Sequence, residues 1–246
     1  MHPMKTLEFE YTFTPDSGDS RRFQVRFELP ALSLVLEPRR QVPDWVRLGS
    51  NRCPNCPLKE SRHPDCPAAK GLLEVVEFFK DANSSEIVDI GIRTEERTYH
   101  KRGPLSIGVS SLVGLCMPTS GCPILDKLRP MVFTHLPFAT LEQNLHRQLA
   151  NYMLAQYFRF KRGLKPDWKM EGLADLAEDI RLVNRSFCER LYAICSNDAA
   201  LNALVHLDCF ADNASFTLKK KGLAHIEPCF SAYFEEEDSL ERSSSR

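Results

Sequence analysis

Between residues 37 and 67 the chain carries six prolines, Pro38, Pro43, Pro54, Pro57, Pro64 and Pro67, together with Gly49. Proline fixes φ and has no backbone N–H to donate, so this stretch can be neither a helix nor a central strand. An irregular segment of such length inside a folded unit is usually functional, or tied down by something other than backbone pairing. It separates a part of the chain that reads as strand from a part that reads mainly as helix.

On the N-terminal side the residues alternate with a period of two. Leu7, Phe9, Tyr11 and Phe13 fall on one face, opposite Glu8, Glu10 and Thr12. A turn cluster at residues 15–19 follows, and Phe23, Val25, Phe27 and Leu29 alternate again. Two half-buried strands joined by a turn make a hairpin, and residues 32–36 allow a short third strand. Beyond the proline-rich segment, Leu72, Val75, Val76 and Phe79 share one face of a helix over residues 68–82, with Pro67 at its start. Residues 86–92 and 97–101 predict a second hairpin turning near Glu95 and Glu96. Residues 105–117 read as a buried helix, and residues 124–138 as short elements. From Thr140, a suitable cap, Leu141, Leu145, Leu149, Met153 and Phe160 mark a long helix. A second helix is expected over 171–196, and a third, capped by Asn197 or Asp198, to about residue 210. The fold class that follows is α+β: N-terminal antiparallel β-hairpins, a Cys-Pro-rich loop and a predominantly helical C-terminal half. The pattern reads as a single domain over 1–234 with the Cys-rich loop at about 50–67. An acidic, then serine-rich tail over 235–246 is expected to be disordered.

A net charge of −1 supplies no strong positive field, which argues against non-specific nucleic-acid binding. The first residues lack the apolar core of a signal peptide, and no apolar run has the length of a membrane span. A cytoplasmic protein is therefore expected, and there nine cysteines are not read as a disulfide framework.

Four of those cysteines are followed directly by proline: Cys53, Cys56, Cys66 and Cys122. Chance placement predicts about 0.6 such pairs. Pro54-Asn55-Cys56-Pro57 and Pro64-Asp65-Cys66-Pro67 form a small repeat. Proline stiffens the chain around each sulfur, so less entropy is lost when the loop closes on an ion. Cys53 and Cys56, spaced Cys-x-x-Cys, can reach one metal, and Cys66 stands at a helix start that favours negative charge. Two ligand sets follow. Cys53, Cys56, His63 and Cys66 would make a compact zinc site. With Cys122 in place of His63 all four ligands are cysteines, which suits zinc or an iron–sulfur cluster. A thioredoxin-type Cys-Pro-x-Cys is disfavoured, because residues 47–52 do not read as the strand that motif should follow. Cys188, Cys195 and Cys209 fall in helical patterns and are assigned to packing.

The segments Cys53-Pro54-Asn55-Cys56-Pro57-Leu58, Cys66-Pro67, Ser110-Ser111-Leu112-Val113-Gly114-Leu115, Thr119-Ser120-Gly121-Cys122-Pro123 and Leu154-Ala155-Gln156-Tyr157-Phe158 resemble those of a bacterial family of uncharacterised proteins. The likeness covers roughly residues 50–165. It implies that Cys53, Cys56, Cys66 and Cys122 belong together, with His63 the weaker candidate, and it brings no activity with it.

Elsewhere, Glu142 and His146 are four apart on one helix face, with His135 nearby, and offer a pocket for proton transfer or metal binding. A solvated pair on a helix is the plainer account. Arg159, Lys161, Arg162, Lys165 and Lys169, interleaved with Phe158, Phe160 and Trp168, are better explained by a helix C-terminus attracting positive charge than by a nucleic acid. No phosphate-binding loop, dinucleotide fingerprint or Gly-x-Ser-x-Gly elbow occurs. The expectation is a cytosolic metal-binding protein. Structural zinc in an interaction or regulatory module, with an unknown protein partner, is favoured. An iron–sulfur redox or sensing protein is the alternative, and an enzyme with a pocket near His135, Glu142 and His146 is the third.

Overall fold

The computed structural model describes residues 5–234; the tail expected to be disordered lies outside them. Five strands, β1 (Thr6–Pro15), β2 (Arg21–Glu28), β3 (Ser33–Leu34), β4 (Ile87–Arg93) and β5 (Thr98–Pro104), form one antiparallel sheet in the order β3-β2-β1-β4-β5. The two hairpins read from the sequence are thus halves of a single sheet, since β1 takes β2 on one edge and β4 on the other. Register places Phe9 opposite Val25, Tyr11 opposite Ile92 and Phe13 opposite Ile90. All six are buried, with Phe27 and Val88 beside them. The period of two thus puts one apolar face of the sheet inward.

That face is covered by helices. α1 (Pro67–Phe79) and α2 (Leu105–Thr119) lie next to it, and α2 also packs against α6 (Ala199–Phe216) on its far side. Being covered from several directions, α2 is buried almost all round, as its run of small and apolar residues predicts. The helical half adds a short α3 (Pro130–Phe133), α4 (Leu141–Lys161) and α5 (Glu171–Tyr192). Thr140 caps α4 in a reciprocal box: its Oγ1 accepts from the Gln143 amide at 3.1 Å, and its own amide donates to Gln143 Oε1 at 2.9 Å. Buried apolar side chains from Phe9 to Ala214 make one continuous cluster.

Three helix ends differ from the periodicity. α1 stops at Phe79 and α5 at Tyr192, both short of the expected limit, while α6 runs on to Phe216. The first two ends are pinned to each other: the Lys80 carbonyl, which a longer α1 would need, accepts from the Asn197 amide at 3.1 Å. Asp198 occupies the position before α6 but makes no capping bond there. Its carboxylate instead accepts from the amide and hydroxyl of Ser84, each at 2.8 Å, and from Asn202 at 2.9 Å. Cys188 and Cys195 are half-buried, but Cys209 is exposed on α6, so the packing role expected of it does not hold. Among the described residues, no helix is long and apolar enough to cross a membrane.

Candidate metal centre

The proline-rich loop is held at its base by its own backbone. The Leu48 amide donates to the Pro64 carbonyl and the Cys66 amide to the Val46 carbonyl, both at 2.9 Å. Arg47 and Asp65, which face each other across this bridge, also form an ion pair at 3.0 Å. Val46 and Leu48 are buried beneath it. Within the loop the Cys56 amide turns back to the Cys53 carbonyl at 3.1 Å, and Arg52 donates to the Cys56 carbonyl at the same distance. Asn55, between the two cysteines, anchors the turn to α5: its Nδ2 donates to the carbonyl of Asp179 at 3.0 Å and to its carboxylate at 2.9 Å.

Cys122 arrives from the other side of the sequence. α1 and α2 approach closely at Gly71, where a Cβ would stand only 3.0 Å from Ser120 Cβ and 3.2 Å from Leu34 Cδ2. This contact brings the end of α2 against the start of α1. The chain then turns at Gly121, whose φ of +90° suits glycine, with Pro67 beside it. Cys122 follows directly.

The four Cys-Pro cysteines are therefore gathered in one place. Cys53 and Cys66 are buried, Cys56 and Cys122 half-buried, and none is in a disulfide. Each lies near enough to every other for the charge of one thiolate to disfavour the next. Burial pushes the Cys53 thiol up to about 11, against a hydrogen bond from Ser186 that favours its thiolate. Burial also raises Cys66 and Cys122. Opposing it at Cys66 are the Ala69 amide, the Arg190 guanidinium and the Ala68 amide, although Cys66 closes no regular capping bond on α1. At Cys122 the amides of Leu125 and Ile124 act the same way. His63 is exposed on the loop.

Arg190 is the residue that sequence reasoning missed. It is 2% exposed, and no carboxylate pairs with it among the described residues. Its guanidinium donates instead to the carbonyls of Trp45, Arg47 (2.9 Å) and Asn51 (3.3 Å), and stacks over Phe187 at 5.3 Å. Nε has no partner. One buried cation thus braces the loop and faces Cys66, Cys53 and Cys56. A signal for it exists: Ile180, Val183, Phe187 and Leu191 set the apolar face of α5, and Arg190 falls on that face.

A profile for the family described as Domain of unknown function (DUF6901) matches residues 7–231. The chain belongs to that family. No curated protein and no solved structure matches it. The likeness to uncharacterised proteins drawn from the Cys-Pro segments thus holds at the level of family. The match spans both the sheet and the helices, so in this DUF6901 chain the cysteine loop is one part of the family unit rather than an appendage.

Among the described residues, no three His, Cys, Asp or Glu side chains already stand at metal-ligating spacing. The donor set itself suits a thiophilic metal: four sulfurs, amides directed at two of them and one buried positive charge. The other candidate residues are not brought together. His135 lies by the sheet, where Ser111 Oγ is 3.0 Å and Tyr11 Oη 3.2 Å from its Nε2. Glu142 and His146 are exposed on α4, and His146 stacks on Phe230. The basic-aromatic stretch closes α4, with Arg159 donating to the Lys165 carbonyl at 3.0 Å. Phe158, Phe160 and Trp168 stay exposed.

Proposed function

We propose that Cys53, Cys56, Cys66 and Cys122 hold a metal ion, structural zinc in the first place, and that this centre locks the proline-rich loop to the sheet and to α5 so that the loop can serve as an interaction or regulatory surface. The observation that carries the proposal is the convergence of all four Cys-Pro cysteines, from segments on either side of β4, β5 and α2, beside a buried arginine. An ion bound by four protein thiolates has no open position for a catalytic water, so the role assigned is structural. Once an ion had displaced their protons, the sulfurs of Cys66 and Cys122 would accept from the neighbouring amides, and Arg190 would place positive charge beside the site.

An iron–sulfur cluster is the second reading, and the same surroundings favour it. Hydrogen bonds to cluster sulfurs and charges beside them tune the potential of such clusters, and Arg190 with the four amides supplies both kinds of group. A cluster here would make the protein a redox or sensing protein.

Anaerobic purification, followed by an absorbance spectrum and metal analysis of one sample, tests both. A colourless protein with about one zinc per chain supports the structural site. A brown protein with several irons per chain, absorbing near roughly 400 nm, supports the cluster. A chain that purifies with neither and takes up neither on reconstitution refutes the proposal. His63→Ala should keep the metal and Cys122→Ser should lose it; the reverse result would put His63 in the ligand set.

A further inference from the structure

A cavity of about 300 Å³ lies among α2, α4, α5, α6 and the segment around α3, apart from the four sulfurs. Most of its wall is apolar, with Ile107, Leu128, Phe138, Ile180, Leu207 and Phe210 prominent. Its polar groups are cationic or neutral: Arg147, Lys101, His135, His206 and several amides and hydroxyls line it, and no Asp or Glu does. A largely apolar pocket with a few converging polar groups is the usual form of a small-molecule site.

Two of the polar groups carry a nitrogen without a partner. Asn184, 2% exposed, lines the cavity with its Nδ2 unbonded. Arg147 donates through Nη2 to the Met131 carbonyl at 2.6 Å, while its buried Nε has no acceptor. No carboxylate pairs with Arg147 among the described residues. Arg190 meets the need of a desolvated guanidinium with three carbonyls, whereas half-buried Arg147 has the Met131 carbonyl alone; a guanidinium so under-partnered is best answered by an anion. We propose that the anion comes from outside: the cavity binds a small amphipathic acid, its apolar body among Leu128, Leu207 and Phe210 and its carboxylate on Arg147, with the Asn184 amide as a second donor.

The neighbouring polar cluster adds hydrogen-bonding groups beside the pocket. Tyr11 Oη, Ser111 Oγ and His135 Nε2 lie within 2.9–3.2 Å of one another. His135 keeps some surface, but its ring is enclosed, with Phe9 edge-on at 5.4 Å. Burial and the nearby Arg147 hold it neutral, down to about 3. No carboxylate orients it among the described residues, so Ser111 and His135 form a hydrogen-bonded pair without the third group that positions the base in a triad. What remains is a neutral set of donors and acceptors at one end of a positively charged pocket. This proposal does not rest on the metal centre.

Isothermal titration of the full-length protein with octanoate and 4-phenylbutyrate, against 1-octanol and 4-phenylbutanol, tests it. At least one acid should bind, about tenfold or more tighter than its alcohol, since only the acid answers Arg147. Arg147→Gln should remove that preference while leaving alcohol binding within about twofold. Leu207→Trp, which fills the cavity, should abolish binding of both. Equal binding of acid and alcohol to the wild-type chain overturns the proposal, as does no binding of either acid at millimolar concentration. Both of those outcomes are read without any variant and so do not depend on one folding.

Discussion

Around the four cysteines the sulfur atoms arrive on loops, and most of what steadies them is backbone: amides directed at Cys66 and Cys122, and carbonyls gripped by Arg190. Around the cavity most of the polar atoms are side chains standing on helices that are already packed, Ser111 on α2, Arg147 on α4 and Asn184 on α5, with His135 and Lys101 reaching in from outside them. Loops gain order from what they hold, whereas helices packed on a core keep theirs whether or not a ligand is present. The sulfur site should therefore behave as a part of folding and the cavity as a receptacle added to a finished fold. The difference teaches where to look for energy in each: in the occupant for the first, and in the unpaired groups for the second.

The sharpest way to break this comparison is to remove a sulfur. Cys122→Ser should cost the metal and upward of about 3 kcal/mol of stability. Calorimetry with and without a chelator checks this, and a chelator that leaves the wild-type melting temperature unmoved would end the structural assignment. Next in size is Arg190→Met. It strips three carbonyls of their donor and removes the positive charge beside the sulfurs, for an expected loss of about 3 kcal/mol. Metal affinity should also fall about tenfold; competition with a chromophoric chelator measures that part separately.

A smaller effect is expected from Gly71→Ala, about 1–3 kcal/mol, because the new methyl must push α1 off Ser120 and Leu34. If Cys122 is placed by this contact, metal affinity should weaken with stability; unchanged affinity would separate the two.

Acidity and alkalinity distinguish the regions without mutation. In the metal-free chain Cys53 is raised from the ordinary thiol value of 9.0 to about 11. The native state then binds more protons than the unfolded chain between those values, so stability falls as pH rises through that window. His135 is lowered from 6.5 to about 3, the unfolded chain binds the extra proton, and stability falls as pH drops through that range. Urea titrations across pH should show both slopes: metal should suppress the alkaline one, and His135→Gln the acid one. The smallest effect is expected at the exposed end of α4, where Phe160→Ala should change stability by less than about 0.5 kcal/mol, because that ring leaves little water-free surface behind.

Much of the fold was legible because its signals are local. Alternation in β1 and β2 named the buried face, and Thr140 announced the start of α4. Pairing of β1 with β4 was not legible, since alternation says which face a strand buries and nothing about its neighbour. Helix ends were misjudged where a distant group captured a backbone atom, as Asn197 does at Lys80. At the sulfur site the cysteines were legible through their prolines, which are local. Arg190 was not, although its place on the apolar face of α5 could have raised the question of what a charge does there. The cavity was almost invisible: Ser111, His135, Arg147 and Asn184 sit on separate elements with no shared motif, and only packing brings them together.

One consequence of the route by which Cys122 reaches Cys66 concerns the order of assembly. Cys66 opens α1 and Cys122 follows α2, so a chain gripping one ion with both would be drawn into a ring that encloses α1, β4, β5 and α2. Closing that ring early would cost the entropy of a long, still mobile segment. It becomes favourable once β4 has found β1 and α2 has settled against α1, so on the proposed metal site capture of the ion would be a late event that certifies the topology rather than one that nucleates it.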